Sequence, residues 1–152
     1  MYTVICSYQE RELNKDIIKR LEAVIKDVYR RTFGAKTKVL IIWMKIPAGN
    51  AFVAGKPSTA TAVMAAVDDG FDKDKREAFL ADFCQVWSQT AGCTLDEIML
   101  NATDKKQVRA AMKAQRSRFS SKAGSKVNFK YAVSLLKSKL QKGYLEMSVN
   151  VQ

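Results

Sequence analysis

The residues of this 152-residue chain that could do chemistry are limited first by the absence of histidine. Without histidine the chain cannot form a Cys/His zinc site or a Cys–His catalytic pair. It also lacks the commonest general base near neutral pH. Acid–base chemistry would have to use a carboxylate, a lysine, a tyrosine or the terminal amine. We therefore expect no metal and no cofactor.

The amine of Met1 is one candidate group. Because Tyr2 is bulky and removal of an initiator needs a small second residue, we expect Met1 to remain. Cations from Lys45, Lys56 or Lys73 beside this amine would favour its neutral form. A neutral amine can act as a weak base or form a Schiff base with a carbonyl substrate. The alternative is that a first strand simply begins here.

The stretch Pro47–Ser58 holds both prolines and two of the seven glycines. Within it, Gly55 would let the backbone approach a ligand closely, and Lys56 could hold an anionic oxygen. The alternative is an ordinary loop lysine in a turn set by Pro57. The segment does not contain the phosphate-binding pattern Gly-x-x-x-x-Gly-Lys-[Ser/Thr].

The three cysteines, Cys6, Cys84 and Cys93, indicate the cellular location. An odd number without regular spacing is not a disulfide framework, so we expect reduced, mostly buried thiols in a cytoplasmic protein. The amino terminus lacks the pattern of a secretion signal. No stretch approaches the roughly 20 apolar residues that span a bilayer. We expect no membrane partner.

The net charge of +11 is unevenly distributed. Residues 1–103 carry a net charge of +1 and residues 104–152 carry +10, so we divide the chain into a first domain and a basic extension at this point. The extension could bind nucleic acid, form a solvated helix face, or wrap its own domain or a neighbouring subunit. We favour packing on a subunit and regard nucleic acid as the less favoured partner.

The first domain reads as a repeated strand–helix–strand pattern. Residues Tyr2–Tyr8 are β-branched and aromatic, which predicts a strand, and a helix begins at Leu13 or Asn14 and ends at Gly34. The nearly continuous apolar run Lys38–Ile46 predicts a second strand that is parallel to the first and buried on both faces.

The same pattern follows the Pro47–Ser58 stretch. Thr59–Val67 predicts a strand, Asp72–Ala91 a helix ended by Gly92, and Ile98–Ala102 a short strand. The predicted fold class is therefore α/β (α+β), with two tandem βαβ units, a four-stranded sheet and two helices on one face. Since the other face is also apolar, we expect another subunit to cover it.

The basic extension is predicted to be mainly helical. One helix covers Lys105–Phe119, a polar linker covers Ser120–Ser125, and a second helix covers Phe129–Leu140 and ends at Gly143. The alternation in Tyr144–Val151 predicts a final strand, which could pair with the sheet edge of its own subunit or of a neighbour.

The segment Pro47-Ala48-Gly49-Asn50, with Phe52 and Gly55, joins the two βαβ units. In this arrangement the chain resembles the tautomerase superfamily, and within it the cis-3-chloroacrylic acid dehalogenase group. The resemblance covers about residues 1–103, and we recognise no matching motif beyond Asp104. It implies an α/β fold of repeated βαβ units and a homotrimer.

The resemblance also implies a site that this chain lacks. The chemistry of the family rests on an amino-terminal proline, where this chain has Met1. The family's other site residues are a histidine, two arginines, a tyrosine and a glutamate, and their positions fall at Val28, Gly70, Lys73, Thr103 and Ala114. Of these, Lys73 alone keeps a positive charge, without the bidentate geometry that suits a carboxylate.

We therefore expect a member without the catalytic proline, with weak or absent isomerase-type activity on a small enol or keto carboxylic acid. If it is active, Met1 would be the base, and Lys73, Lys56 and Lys45 would bind the carboxylate. The alternative is a non-catalytic trimeric module that binds an anionic metabolite or, less favoured, nucleic acid.

Overall fold

Two βαβ units follow one another, joined by a small hairpin and followed by two helices and a strand. The structure is a computed structural model that describes the backbone of residues 1–10, 12–118 and 122–148, and their side chains except those of 115–118 and 122–128. In chain order the elements are β1 (Tyr2–Gln9), α1 (Lys15–Phe33), β2 (Val39–Ile46), β3 (Phe52–Val53), β4 (Lys56–Pro57), β5 (Thr61–Val67), α2 (Lys73–Ala91), β6 (Ile98–Asp104), α3 (Lys105–Arg118), α4 (Lys122–Lys142) and β7 (Leu145–Ser148).

The main sheet has the strand order β6-β5-β1-β2-β7. Strand β1 is parallel to β2 and antiparallel to β5, which is in turn parallel to β6. The predicted fold class is confirmed, with both βαβ crossovers present. The two βαβ units supply four strands of this sheet, as predicted, and β7 of the extension adds a fifth, because it pairs in parallel with the free edge of β2 in the same chain.

The ends of α1 and α2 lie where the sequence placed them. The side chain of Asn14 accepts hydrogen bonds from the backbone N–H groups of Asp16 and Ile17, at 3.0 and 2.9 Å. Asp72 caps α2 in the same way. Gly92 follows α2 with φ of 72°, a left-handed conformation that favours glycine.

The core lies between the sheet and the two long helices. Val28, Trp43 and Trp87 are each at most 1 % exposed and belong to this core. The rings of Trp43 and Trp87 lie 5.8 Å apart, and this contact joins the sheet to α2. Burial of one such side chain contributes roughly 1.5–3 kcal/mol or more to folding.

The opposite face of the sheet remains partly open in the single chain. Four half-buried apolar side chains lie in register across it: Met64, Ile5, Ile42 and Leu145. The prediction that β2 is buried on both faces is therefore wrong for one chain. Ile41 and Trp43 point to the helices and are buried, whereas the alternate residues of β2 face outward.

The tail differs from its prediction at one place. Helix α4 begins at Lys122, so the predicted polar linker is wrong for Lys122–Ser125. A glycine costs a helix only about 1 kcal/mol, and the many following residues of α4 outweigh that cost. Ser120 and Ser121 lie outside the described residues, as do Phe119 and the Val149–Val151 end of the predicted strand.

Glu146 fastens β7 to the rest of the sheet. It is 5 % exposed, accepts a 2.6 Å hydrogen bond from the Tyr8 hydroxyl and pairs with Lys142. Its backbone N–H donates to Ser138 Oγ at 2.8 Å. Burial and the bond to Glu146 raise the pKa of Tyr8, so this hydroxyl stays protonated as a donor.

The three cysteines are free thiols, and only Cys6 is fully buried. The expectation of mostly buried thiols is therefore wrong for Cys84, within α2, and Cys93, just after it, which are half-buried against the edge of the core. Burial raises the pKa of all three thiols, which favours the unreactive protonated form. Within the described residues, no helix is both long and apolar enough to cross a membrane.

Candidate anion-binding cleft at the amino terminus

The strand directions bring the start of β1 and the ends of β5 and β6 to one end of the sheet. In the antiparallel pairing of β1 with β5, Val4 lies opposite Ala65. Continuing this register places Met1 opposite Asp68, the residue after β5. Strand β6 runs parallel to β5 and ends beside it, with Val67 opposite Asp104. A terminal amine and two carboxylates therefore share this end.

Asp68 forms a polar cluster with Lys105 and Tyr2. The Lys105 ammonium donates to Asp68 Oδ1 at 2.5 Å, and the Tyr2 hydroxyl donates to Oδ2 at 2.9 Å. The same Lys105 Nζ lies 3.6 Å from the centre of the Tyr2 ring, within the range of a cation–π contact. Both oxygens of Asp68 are thus occupied by groups of the chain itself.

The shifted pKa values in this cluster keep its acidic and basic groups charged near neutral pH. The hydrogen bond from Lys105 lowers the pKa of Asp68 most, and the bond from Tyr2 and the charge of the Met1 amine add smaller contributions. Partial burial opposes the charged form of Lys105, but its contacts with Asp68 and Tyr2 raise its pKa overall. Asp68 therefore stays an anion and Lys105 a cation near neutral pH, and neither is suited to exchange a proton there.

Arg76 and Asp104 form a second ion pair at this end. The Arg76 guanidinium donates to Asp104 Oδ1 at 2.7 Å and to the carbonyl oxygens of Ala102 and Phe71 at 2.6 and 3.1 Å. The hydrogen bond from Arg76 and one from the Gly70 backbone lower the pKa of Asp104. These bonds tie the turn before α2 to β6, so the Arg76 donors are used in holding the fold.

Next to these pairs, an open cleft of about 550 Å³ surrounds the amino terminus. The residues that line it belong to the start of β1 and to the connection between α1 and β2: Met1, Tyr2, Phe33, Gly34, Ala35, Lys36, Thr37 and Lys38. Met1 is 74 % exposed. Three of these lining residues carry a basic group, namely Met1 with its amine, Lys36 and Lys38, and none of the described lining residues carries a carboxylate.

Of the site lysines predicted from sequence, one lies at this end of the sheet. Lys73 begins α2, just after the turn that contains Phe71. The Phe71 ring lies 5.0 Å from that of Phe33, which lines the cleft. The Lys73 side chain is 84 % exposed and pairs with Glu77. The structure therefore places Lys73 on the surface at the same end as the cleft.

Lys45 and Lys56 lie at the other end of the sheet. Lys45 is paired in register with Tyr8, about 20 Å along β1 from Tyr2, and binds Glu10 at 2.8 Å. Lys56 lies in the exposed β3–β4 hairpin that follows β2. A single chain therefore does not bring Lys45 or Lys56 to Met1.

Gly55 has a conformational reason to be where it is. It follows Ala54 in the two-residue turn between β3 and β4, and both residues have positive φ, 50° for Ala54 and 76° for Gly55. Hairpin turns of this kind need such angles, and glycine adopts them without strain. This geometry accounts for Gly55 without a ligand.

The other positions that the family resemblance singled out do not supply reactive groups. Val28 is fully buried in the core, and Gly70 lies in the turn after β5 with φ of 70°. The Thr103 hydroxyl donates to Asn101 at 3.0 Å, and Ala114 lies in α3.

Sequence reasoning missed Lys36, Lys38, Asp68, Arg76 and Lys105. Asp68 and Lys105 had a usable signal, because Asp68 directly follows one predicted strand, Lys105 lies three residues after another, and the ends of adjacent parallel strands meet. Lys36 and Lys38 had none, because they are two lysines among many in a connection without a motif.

No protein-family model and no curated protein matches the chain, whereas solved structures match its fold. The structure of native Ps01740 shares 20 % identity over 67 % of this chain and 92 % of its own, with a TM-score of 0.63. N1, a member of the cis-3-chloroacrylic acid dehalogenase family, shares 12 % over 67 % of this chain and 73 % of its own, with a TM-score of 0.61. A fused 4-OT wild type symmetric trimer shares 16 % identity over 67 % of this chain and 84 % of its own, with a TM-score of 0.60.

These matches define the fold. The chain has the fold of the tautomerase superfamily, as the Pro47–Gly55 pattern indicated. The matched share is close to that of the two βαβ units, and at these identities the likeness concerns the fold alone.

Proposed function

We propose that this tautomerase-fold chain binds a small organic carboxylate in the cleft at Met1, with isomerase-type turnover weak or absent. The observation that carries the proposal is the grouping of three cationic groups around an open cleft whose described lining has no carboxylate. An anionic metabolite is the ligand class that such a lining selects.

The lining also suggests the shape of the ligand. The ammonium groups of Lys36 and Lys38 are flexible point charges that suit a carboxylate without fixing its orientation. Phe33 adds apolar surface to the cleft, beside the largely buried Tyr2, which suits a keto or enol acid with a hydrophobic substituent.

Weak turnover follows from the surroundings of Met1. A general base must be held within hydrogen-bond reach of the proton it removes. Met1 is largely exposed, so packing does not hold its amine in one position. The nearby Asp68 and Lys105 bind each other, so neither of these two described groups is positioned to exchange a proton with a ligand at Met1.

We also infer a homotrimer as the working form of the protein. The half-buried row of Ile5, Ile42, Met64 and Leu145 supports a covering subunit on the open sheet face. Matched 4-OT structures are trimers. A cytoplasmic location stays a prediction, supported by the free thiols.

Ligand binding can be tested by titration calorimetry with phenylpyruvate as the probe. The double substitution Lys36→Ala and Lys38→Ala is expected to weaken binding about tenfold, since it removes two cationic side chains of the cleft. Lys56→Ala is the matched control, because it removes an exposed lysine from the other end of the sheet. Equal weakening in the control, or none in the double variant, would contradict the proposed cleft.

Turnover can be tested with the keto–enol conversion of an aryl enol pyruvate. The wild type is compared with a chain extended by one residue before Met1, which moves the amine away from the cleft. We expect any rate above the uncatalysed one to fall. A measured rate that the extension leaves unchanged would show that the Met1 amine is not the base.

A further inference from the structure

Helix α4 carries a stripe of exposed apolar side chains. Phe129, Val133, Leu136 and Leu140 are 72, 36, 64 and 87 % exposed. Their spacing of four, three and four residues puts them on one face of the helix. We call these four residues the α4 stripe. Large aliphatic side chains so exposed in a single row mark a surface for an apolar partner.

The α4 stripe faces away from the body of the protein. Leu135, Ser138 and Lys142 form the face by which α4 is attached, since Leu135 is half-buried, Ser138 bonds to the Tyr144 carbonyl and Lys142 pairs with Glu146. At 3.6 residues per turn this face is nearly opposite the α4 stripe. Within the described residues, folding of the chain therefore leaves the stripe uncovered.

The sequence around the α4 stripe is strongly basic. Between Asp104 and Glu146 the chain has 12 lysines and arginines and no aspartate or glutamate. Lys130 and Lys137 lie along one side of the stripe and Lys139 lies along the other. An occupant of this surface must therefore combine negative charge with an apolar interior.

The other occupants fit less well. The α4 helix of a second copy would bring like charges together along the stripe. Nucleic acid offers phosphates to the lysines but leaves Val133, Leu136 and Leu140 without an apolar partner. A coiled-coil helix needs an apolar seam over three or more heptads, whereas the α4 stripe covers fewer than two.

We propose that α4 docks on the surface of an anionic lipid bilayer. The α4 stripe enters the boundary between headgroups and acyl chains, and the flanking lysines contact acidic headgroups. The expectation of no membrane partner rested on the lack of a spanning segment, and surface docking requires none.

The full chain can be tested by co-sedimentation with vesicles. Vesicles of phosphatidylcholine are compared with vesicles of phosphatidylcholine and phosphatidylglycerol. We expect binding to the mixed vesicles only, and weaker binding as salt is raised. The double substitution Leu136→Ser and Leu140→Ser is expected to lower the partition coefficient at least about tenfold. Leu95→Ser is the matched control, because Leu95 is also an exposed leucine (56 %) but lies before β6.

Three results would overturn the proposal. One is a double serine variant that binds the mixed vesicles as well as the wild type. Another is equal binding to both kinds of vesicle. The third is a short DNA duplex that binds when the vesicles do not, which would favour nucleic acid. If the serine variant does not fold, Lys130→Glu with Lys137→Glu replaces it, and unchanged vesicle binding in that variant would overturn the proposal equally.

Discussion

At the scale of single residues, the end of the sheet that holds Met1 carries both ion-paired charges and basic groups that line the cleft. Asp68 and Lys105 neutralise each other, and Arg76 neutralises Asp104. Met1 lies beside these pairs and lines the cleft with Lys36 and Lys38, and none of the described residues that line this cleft carries a carboxylate. The paired carboxylates therefore leave the positive charge of the cleft available to an anion.

Removing the Asp68 carboxylate should change the acid side of the stability profile. A carboxylate whose pKa is lowered by folding stabilises the protein above its unfolded value of about 3.9, and the contribution is lost as pH falls through the folded value. Asp68→Asn is expected to lower the free energy of unfolding by about 1 kcal/mol at neutral pH, because the side chain is half exposed. The difference from the wild type should shrink below about pH 4.

Urea unfolding at a series of pH values measures this difference. Asp27→Asn is the control, since Asp27 forms an exposed pair with Arg30 on α1. A loss in Asp68→Asn that stays constant from neutral pH to about pH 2 would show that the charge of Asp68 is not its source. On the alkaline side, the raised pKa of Lys105 keeps the pair intact until pH rises above about 10.4.

Glu146→Gln is expected to destabilise the protein by about 2 kcal/mol. The substitution keeps a hydrogen-bond acceptor for Tyr8 but removes the buried charge that pairs with Lys142. Thermal and urea unfolding measure the change. Glu77→Gln, in an exposed pair with Lys73, should change the free energy of unfolding by less than about 0.5 kcal/mol. Equal effects of the two substitutions would contradict the role given to Glu146.

At the scale of elements, the sequence predicts the βαβ units well because strong periodic patterns have clear ends. Helices α1 and α2 begin within two residues of their predicted starts, and Gly34 and Gly92 follow their ends as predicted. The start of α4 could not be predicted, because Ala123-Gly124-Ser125 reads locally as a linker and its helix depends on the residues that follow. The partner of β7 was also open, since an alternating strand pairs with any free edge.

The capping role of Asp72 gives an element-scale prediction. Its side chain accepts hydrogen bonds from the backbone N–H groups of Asp74 and Lys75, at 3.1 and 3.2 Å. Asp72→Ala is expected to cost about 1 kcal/mol of stability, measured by urea unfolding. Asp74→Ala removes a carboxylate from the same turn without removing a cap, and should cost less than half as much. A larger loss from Asp74→Ala would contradict the assignment of the cap.

At the scale of the whole molecule, the open sheet face could be predicted from the sequence, whereas the cleft could not. Apolar runs in β2 and β5 indicated that a second face needs cover, and the half-buried row from Met64 to Leu145 agrees with that. The cleft could not be predicted, because its cations meet only once the connection after α1 folds back beside Met1. Lys45 was misleading because strand register places it at the far end.

The proposed trimer predicts that a charge on the open face breaks the assembly. Light scattering after size-exclusion chromatography should give the wild type a mass of three chains. Ile42→Lys is expected to give a smaller species, because a lysine would be buried in the interface. Leu95→Lys, away from this face, should leave the mass unchanged. An Ile42→Lys variant with the wild-type mass would mean that the subunits meet elsewhere.

The central claim is that a small carboxylate binds at Met1, and amide chemical shifts test it most directly. The full chain, labelled with nitrogen-15, is titrated with phenylpyruvate. We predict saturable shifts at Tyr2 and at the cleft residues Gly34 to Lys38, with little change in the β3–β4 hairpin around Lys56. Shifts centred on Lys45 and Lys56, or no saturable shift at the cleft, would contradict the account.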